Sequence, residues 1–159
     1  MNASDIMSTE LVTVSPNTQV TDVVRLLLDT GVPGLPVVDE NGHLLGMVTE
    51  ADVVTKHARP HVPTYLGILG YILPIETSGE DEEVRRVLAV TAAELMSKDV
   101  PAVAPDTDVD DVATLMVDEG INPVPVVDRG RVIGVVGHRD IIRLLVREEE
   151  DDGSTASAP

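Results

Sequence analysis

Cysteine is absent from this chain of 159 residues, which excludes a disulfide framework, a zinc ribbon and a thiol nucleophile together. Phenylalanine and tryptophan are absent too, leaving Tyr65 and Tyr71 as the only aromatics. An aromatic platform for stacking single-stranded bases is thereby excluded, and any core must be aliphatic. Positive charge is scarce: 11 lysines and arginines face 28 aspartates and glutamates, a formal net charge of -17. Such a surface repels nucleic acid backbones and anionic membranes over a Debye length, so neither is an expected partner. A phosphate-bearing ligand would need local donors that outweigh this field. The beginning, "MNASDIMS", has neither the basic nor the apolar segment of a secretory signal, from which a cytoplasmic location is expected by default. The most apolar stretch, "VPTYLGILGYILP", lies between Pro63 and Pro74 and is too short for a hydrocarbon layer about 30 Å thick.

What the chain does contain is a repeat. An offset of 89 residues carries Met7-Ser8 onto Met96-Ser97, and Val14, Pro16, Thr18, Val20, Asp22, Val23 and Leu26 onto Val103, Pro105, Thr107, Val109, Asp111, Val112 and Leu115. Gly31, Pro36, Val37, Val38 and Asp39 likewise meet Gly120, Pro125, Val126, Val127 and Asp128. One residue is then lost in a turn, and Gly42, Gly46, Val48 and Asp52 match Gly130, Gly134, Val136 and Asp140. An insertion confined to a loop, with apolar positions in register on both sides, marks duplication of a folded unit. With hydrophobic residues at 43% of the chain, two small units sharing a core are within reach.

Each copy predicts the order β-α-β-β-α. A short strand at "LVTV" or "PAVA" leads to a helix starting near Thr18 or Thr107, with apolar residues at helical spacing and Gly31 or Gly120 as the C-terminal cap. "LPVVD" with "LLGMV", and "VPVVD" with "VIGVV", read as hairpins around "NG" and "RG". Pro36 and Pro125 deny ladder donors, which points to strand starts or exposed edges. A closing helix begins after Thr49 or Gly137. Leu26 and Leu28 lie off the main apolar stripe, and "IIRLLV" is almost uninterrupted; these faces are buried either between the copies or in a homodimer. The boundaries that follow are 1–56 and 93–147 for the copies, 57–92 for an insert with a helix, and 148–159 for a disordered acidic tail.

The chemistry resides in "GMVTEAD" and its echo "GVVGHRD". Thr49 and Asp52 have capping-box spacing, and in that role they bind nothing else. The same geometry serves a ligand: amides at a helix start, a threonine hydroxyl for phosphate, and a carboxylate to accept from ribose hydroxyls. In the second copy Gly137 cannot supply the reciprocal bond while Asp140 remains, with His138 and Arg139 as replacement donors. The "LPVV" and "VPVV" segments fit either a purine wall or core strands. His57 and His61 have i, i+4 spacing, but Pro60 breaks a shared helix, so no metal site is expected. No Ser-His-Asp order, P-loop or paired-carboxylate arrangement stands out.

Taken whole, the two copies about residues 4–56 and 93–147 resemble tandem cystathionine β-synthase (CBS) domains, the pair called a Bateman module. The resemblance implies an α/β (α+β) fold of two βαββα units, related by a pseudo-twofold axis and packed through their sheets. It implies a non-catalytic regulatory module that requires no cofactor and binds AMP, ADP, ATP or S-adenosylmethionine in clefts between the units. It also implies a homodimer whose arrangement signals to a separate effector protein. Asp52 and Asp140 would take ribose hydroxyls and Thr49 phosphate, mainly in the cleft of Thr49 and Asp52. Thr13, Val14, Pro36 and Val37 would line one base pocket, and Ala102, Val103, Pro125 and Val126 the other. Gly137 stands where similar modules carry Ser or Thr, and Ala102 lacks the hydroxyl of Thr13. A ligand-free dimerising scaffold is the alternative.

Overall fold

The structure, a computed structural model, describes residues 1–57 and 91–155. Most of the expected insert, including its helix and His61, lies outside the described residues, as do the last four residues and the side chain of His57. Helix α1 is Ala3–Ile6, α2 Val20–Thr30, and strands β1 Gly34–Val38 and β2 Leu44–Thr49 lead into α3, Glu50–His57. The second copy follows with α4 Ala92–Leu95, α5 Val109–Glu119, β3 Val124–Asp128, β4 Arg131–Val136 and α6 His138–Thr155.

In α2 the apolar residues Val20, Val23 and Leu27 recur at helical spacing and are buried, as are Val109, Val112 and Met116 of α5. Both helices end on a glycine in the left-handed region, Gly31 at φ 65° and Gly120 at φ 62°, as the sequence predicts. They begin two residues past Thr18 and Thr107, near where the sequence places them, and neither threonine is the cap. Thr18 spends its hydroxyl oxygen on the Ser15 amide at 3.1 Å, and α5 is capped by Asp108, which accepts from the Asp110 amide at 2.9 Å. The threonines are held by another task, described below.

Each hairpin is antiparallel, β1 on β2 and β3 on β4. The strands expected at "LVTV" and "PAVA" contract to single parallel bridges, Val14 to Val37 and Val103 to Val126. The Arg129-Gly130 turn has positive φ at both residues, 49° and 81°, the geometry of a two-residue hairpin loop. The longer first loop absorbs the extra residue through Asp39, whose carboxylate accepts from the amides of Asn41 at 2.8 Å and His43 at 2.9 Å. Pro36 and Pro125 are neither at strand starts nor exposed; both are fully buried within their strands. They fit there because their partners Met47 and Val135 turn their own amides outward, to Ser97 and Ser8, so the hairpin ladders lose no bond.

Those outward bonds reveal how the copies combine. The helix preceding each copy packs on the other one. Ala3 of α1 joins Val112, Val124 and Val136 in one core, whereas Ala92 of α4 joins Val23, Leu35 and Val48 in the other. The amides of Ala3 and Ala92 donate to the carbonyls of Thr107 and Thr18, each at 2.8 Å, which satisfies helix-start donors that would otherwise be orphaned. Ser8 then exchanges both backbone bonds with Val135, and Ser97 with Met47. Glycine is required at the crossing: a Cβ on Gly46 would lie 2.5 Å from the Ser97 carbonyl oxygen, and one on Gly134 2.9 Å from that of Ser8. The copies mark the repeat in sequence, and the packed cores cross its boundaries. The turns also meet, with His43 bridging Arg131.

Two further expectations fare differently. The apolar residues off the main stripe divide: Leu26 and Ile141 pack against the cores and Leu144 is buried, whereas Leu28 and Val117, at equivalent positions, are 77% and 81% exposed, and Val54, Ile142, Leu145 and Val146 are exposed as well. The acidic segment from 148 onward is helical as far as Thr155. An apolar helix that is already nucleated propagates cheaply through glutamates, which are good helix formers.

Candidate functional site

At the junction of β2 and α3 the capping box forms. The Thr49 amide donates to Oδ2 of Asp52 at 2.7 Å, the Thr49 hydroxyl donates to the same oxygen at 3.0 Å, and the Asp52 amide donates back to the hydroxyl at 3.3 Å. One carboxylate oxygen is consumed. Oδ1 of Asp52 has no hydrogen-bond partner among the described residues. Capping and ligand binding are therefore compatible, since each uses a different oxygen.

The second junction is built alike with fewer parts. The Gly137 amide donates to Oδ2 of Asp140 at 2.8 Å, so the carboxylate keeps its orientation without a hydroxyl at residue 137. The His138 amide donates to the Asn122 side chain at 3.2 Å. Oδ1 of Asp140 meets Arg143 at 3.2 Å, where Asp140 is 14% exposed and Arg143 68%. A guanidinium this exposed can turn toward an arriving anion at little cost.

Each aspartate opens into a cleft whose far wall comes from the other copy. Asp140, with His138, Arg139 and Arg143, faces Leu11, Val12, Pro33 and Pro36 of the first copy across about 460 Å³. Asp52, with Thr49 and Ala51, faces Val100, Pro101, Gly120 and Ile121 of the second across about 550 Å³. Both volumes suit a nucleoside-sized ligand. Asn122 and Glu50 border both.

Of the wall residues expected from the sequence, only Pro36 borders one of these clefts, and it does so opposite Asp140. Val14, Val37, Val103 and Val126 belong to the two cores, and Pro125 is fully buried. Thr13 and Ala102 line neither cleft. The wall that faces Gly137 comes from the first copy. Four features went unseen in the sequence: Arg143, Asn122 and the apolar pairs Leu11-Val12 and Val100-Pro101. Only Arg143 had a local signal, three residues after Asp140 on one helix.

Charge separates the clefts. Around Asp140, two guanidinium groups accompany the carboxylates of Glu10, Glu50 and Asp140. Around Asp52 stand four carboxylates, Glu50, Asp52, Asp99 and Glu119, with no lysine or arginine among the described residues. The expectation from the sequence places the phosphate on Thr49 and the ribose on Asp52 in this cleft, where these carboxylates gather. Among the described residues there is also no group of three or more His, Asp or Glu arranged to hold a metal ion, and no helix long and apolar enough to cross a membrane.

The fold and clefts define a class: a tandem pair of βαββα units that exchange their leading helices and enclose two symmetry-related crevices. The comparisons agree on what this class is. The CBS domain profile matches residues 3–58 and 92–147, and the chain belongs to the CBS domain family as a tandem pair. It is 31% identical over 157 residues to the uncharacterized protein MJ1426 of Methanocaldococcus jannaschii, covering 92% of each chain. Of two further curated relatives it spans less than half, 45% and 41%. Among solved structures, it is similar to the CBS domain pair of protein MJ0100 in complex with 5′-methylthioadenosine and S-adenosyl-L-methionine, with 28% identity, a TM-score of 0.71, and coverage of 93% of this chain and 98% of that one. CBSX2 of Arabidopsis thaliana in complex with AMP has the same fold, at 24% identity, a TM-score of 0.71 and the same coverage.

Proposed function

We propose that this chain is a non-catalytic regulatory module that binds adenosine-containing ligands in its two clefts, with AMP, ADP or ATP entering the cleft of Asp140. The observation that carries this is the arrangement at the start of α6. One oxygen of Asp140 is fixed by the Gly137 amide, and the other faces a cleft of nucleoside size beside Arg139 and Arg143. As Arg143 turns from Oδ1 of Asp140 to a phosphate, a ribose would donate its hydroxyls to that oxygen, and the wall of Leu11, Val12 and Pro36 would cover the base. The MJ0100 pair, similar over nearly its whole length, holds two adenosine compounds, which supports this ligand class.

The exposed apolar residues Leu28, Val54, Val117 and Ile142 stand at positions equivalent between the copies and support a homodimer through the helices. Occupancy would then reach a separate effector protein through the dimer's arrangement, provided the ligand prefers one arrangement over another. Isothermal titration with AMP tests the binding step: heat is expected from the folded protein, reduced at least tenfold in affinity by Asp140→Ala. Silence with AMP, ADP, ATP and S-adenosylmethionine alike would instead favour a ligand-free dimerising scaffold.

A further inference from the structure

The two clefts share one frame and differ in charged or basic side chains at four equivalent positions, each difference making the Asp52 cleft the more negative. His138 and Arg139 of the second copy correspond to Glu50 and Ala51 of the first, and Arg143 corresponds to Thr55. On the facing walls, Thr30 in the Asp140 cleft corresponds to Glu119 in the Asp52 cleft. Three positions thus lose a cationic or basic group on going to the Asp52 cleft, and the fourth gains a carboxylate. The sugar-facing feature is unchanged, because Asp52 and Asp140 are both held by an amide through Oδ2, at 2.7 and 2.8 Å. The Thr49 hydroxyl, the donor expected for phosphate, is already given to Asp52 at 3.0 Å.

A phosphate brought into the Asp52 cleft would meet four lining carboxylates with no lysine or arginine among the described lining residues to offset them. A sulfonium or ammonium group there would be attracted by the same field, and an uncharged nucleoside would be indifferent to it. We infer, resting on the adenosine reading above, that the clefts select by charge. The Asp140 cleft takes phosphate-bearing adenosine, and the Asp52 cleft takes adenosine without phosphate, either neutral or bearing a cationic group on the 5′ side. The pair reads two classes of adenosine compound at once.

Titration calorimetry on the full chain separates the possibilities, with AMP and S-adenosylmethionine as probes. AMP should fill one site per chain, and its affinity should fall at least tenfold in Asp140→Ala while S-adenosylmethionine binding persists. Asp52→Ala should show the opposite pattern. Because Asp52 also caps α3, a second variant guards against misfolding: Asp99 and Glu119 are exposed, and the double change Asp99→Lys with Glu119→Lys should open a second AMP site and weaken S-adenosylmethionine at least tenfold. Competition of the two probes for one cleft, or AMP binding that follows Asp52 instead of Asp140, would overturn charge selection while leaving the adenosine reading intact. Absence of heat from both probes would overturn the two readings together.

Discussion

Gly46 and Gly134 illustrate how a single position in each copy can be fixed by something far away in sequence. Each lies under the Met-Ser step that leads the other copy, with Met96 Sδ 2.7 Å and Met7 Sδ 2.6 Å from where a Cβ would stand. Gly46→Ala must push backbone apart and should cost about 1–3 kcal/mol, read as a lowered urea midpoint at unchanged m-value. Gly137 is different. A Cβ there meets Asn122 Oδ1 at 3.5 Å and Asp140 Oδ2 at 3.7 Å, ordinary contact distances. Gly137→Ser should therefore fold normally and alter stability by only a few tenths of a kcal/mol, since glycine is already a tolerable cap and Asp140 is already held. Asp39 supplies a test in acid. The His43 amide foremost, then the Asn41 amide and the His43 ring, hold its carboxyl below the ordinary value against the opposing effect of desolvation. A carboxyl depressed on folding stabilises the native turn above its unfolded pKa, and that contribution is lost as pH falls through the folded value. An NMR titration should accordingly find Asp39 ionised to lower pH than a model aspartate, and Asp39→Asn should abolish the acid-dependent change at the His43 amide.

At the scale of elements, the α-β-β-α run of each copy was legible in the sequence because periodicity, cap glycines and turn dipeptides are local, whereas the leading helices were not and the expected first strands are single bridges. Gly31 and Gly120 cap their helices and both hairpins form as read. The exchange of leading helices was not legible, because Ala3 and Ala92 resemble any small residue until their partners are known. The crossed cleft walls follow from that exchange, which is why the aspartates could be found from "TEAD" and "GHRD" while Leu11, Val100 and Asn122 could not. The exchange makes α1 part of the second core. Ala3→Asp, at a site with no solvent exposure, should destabilise by about 3 kcal/mol or more, seen as a fall in the thermal midpoint of the whole domain. A loss confined to the first copy's amides in hydrogen exchange would contradict that placement.

Over the whole molecule, two features sit on one pseudo-symmetric frame: a charge difference between the clefts, and apolar helix faces left uncovered in the single chain. The second supports the proposed homodimer. Leu28→Glu with Val117→Glu should halve the mass seen by light scattering without lowering the helical signal in circular dichroism. The first implies ligand recognition, and a crystal of the protein grown with millimolar AMP tests it most directly. Density for one nucleotide per chain is predicted in the Asp140 cleft, its ribose on Oδ1 of Asp140 and its phosphate against Arg139 and Arg143. Two empty clefts, with Arg143 still closed on Asp140 at saturating AMP, would contradict it.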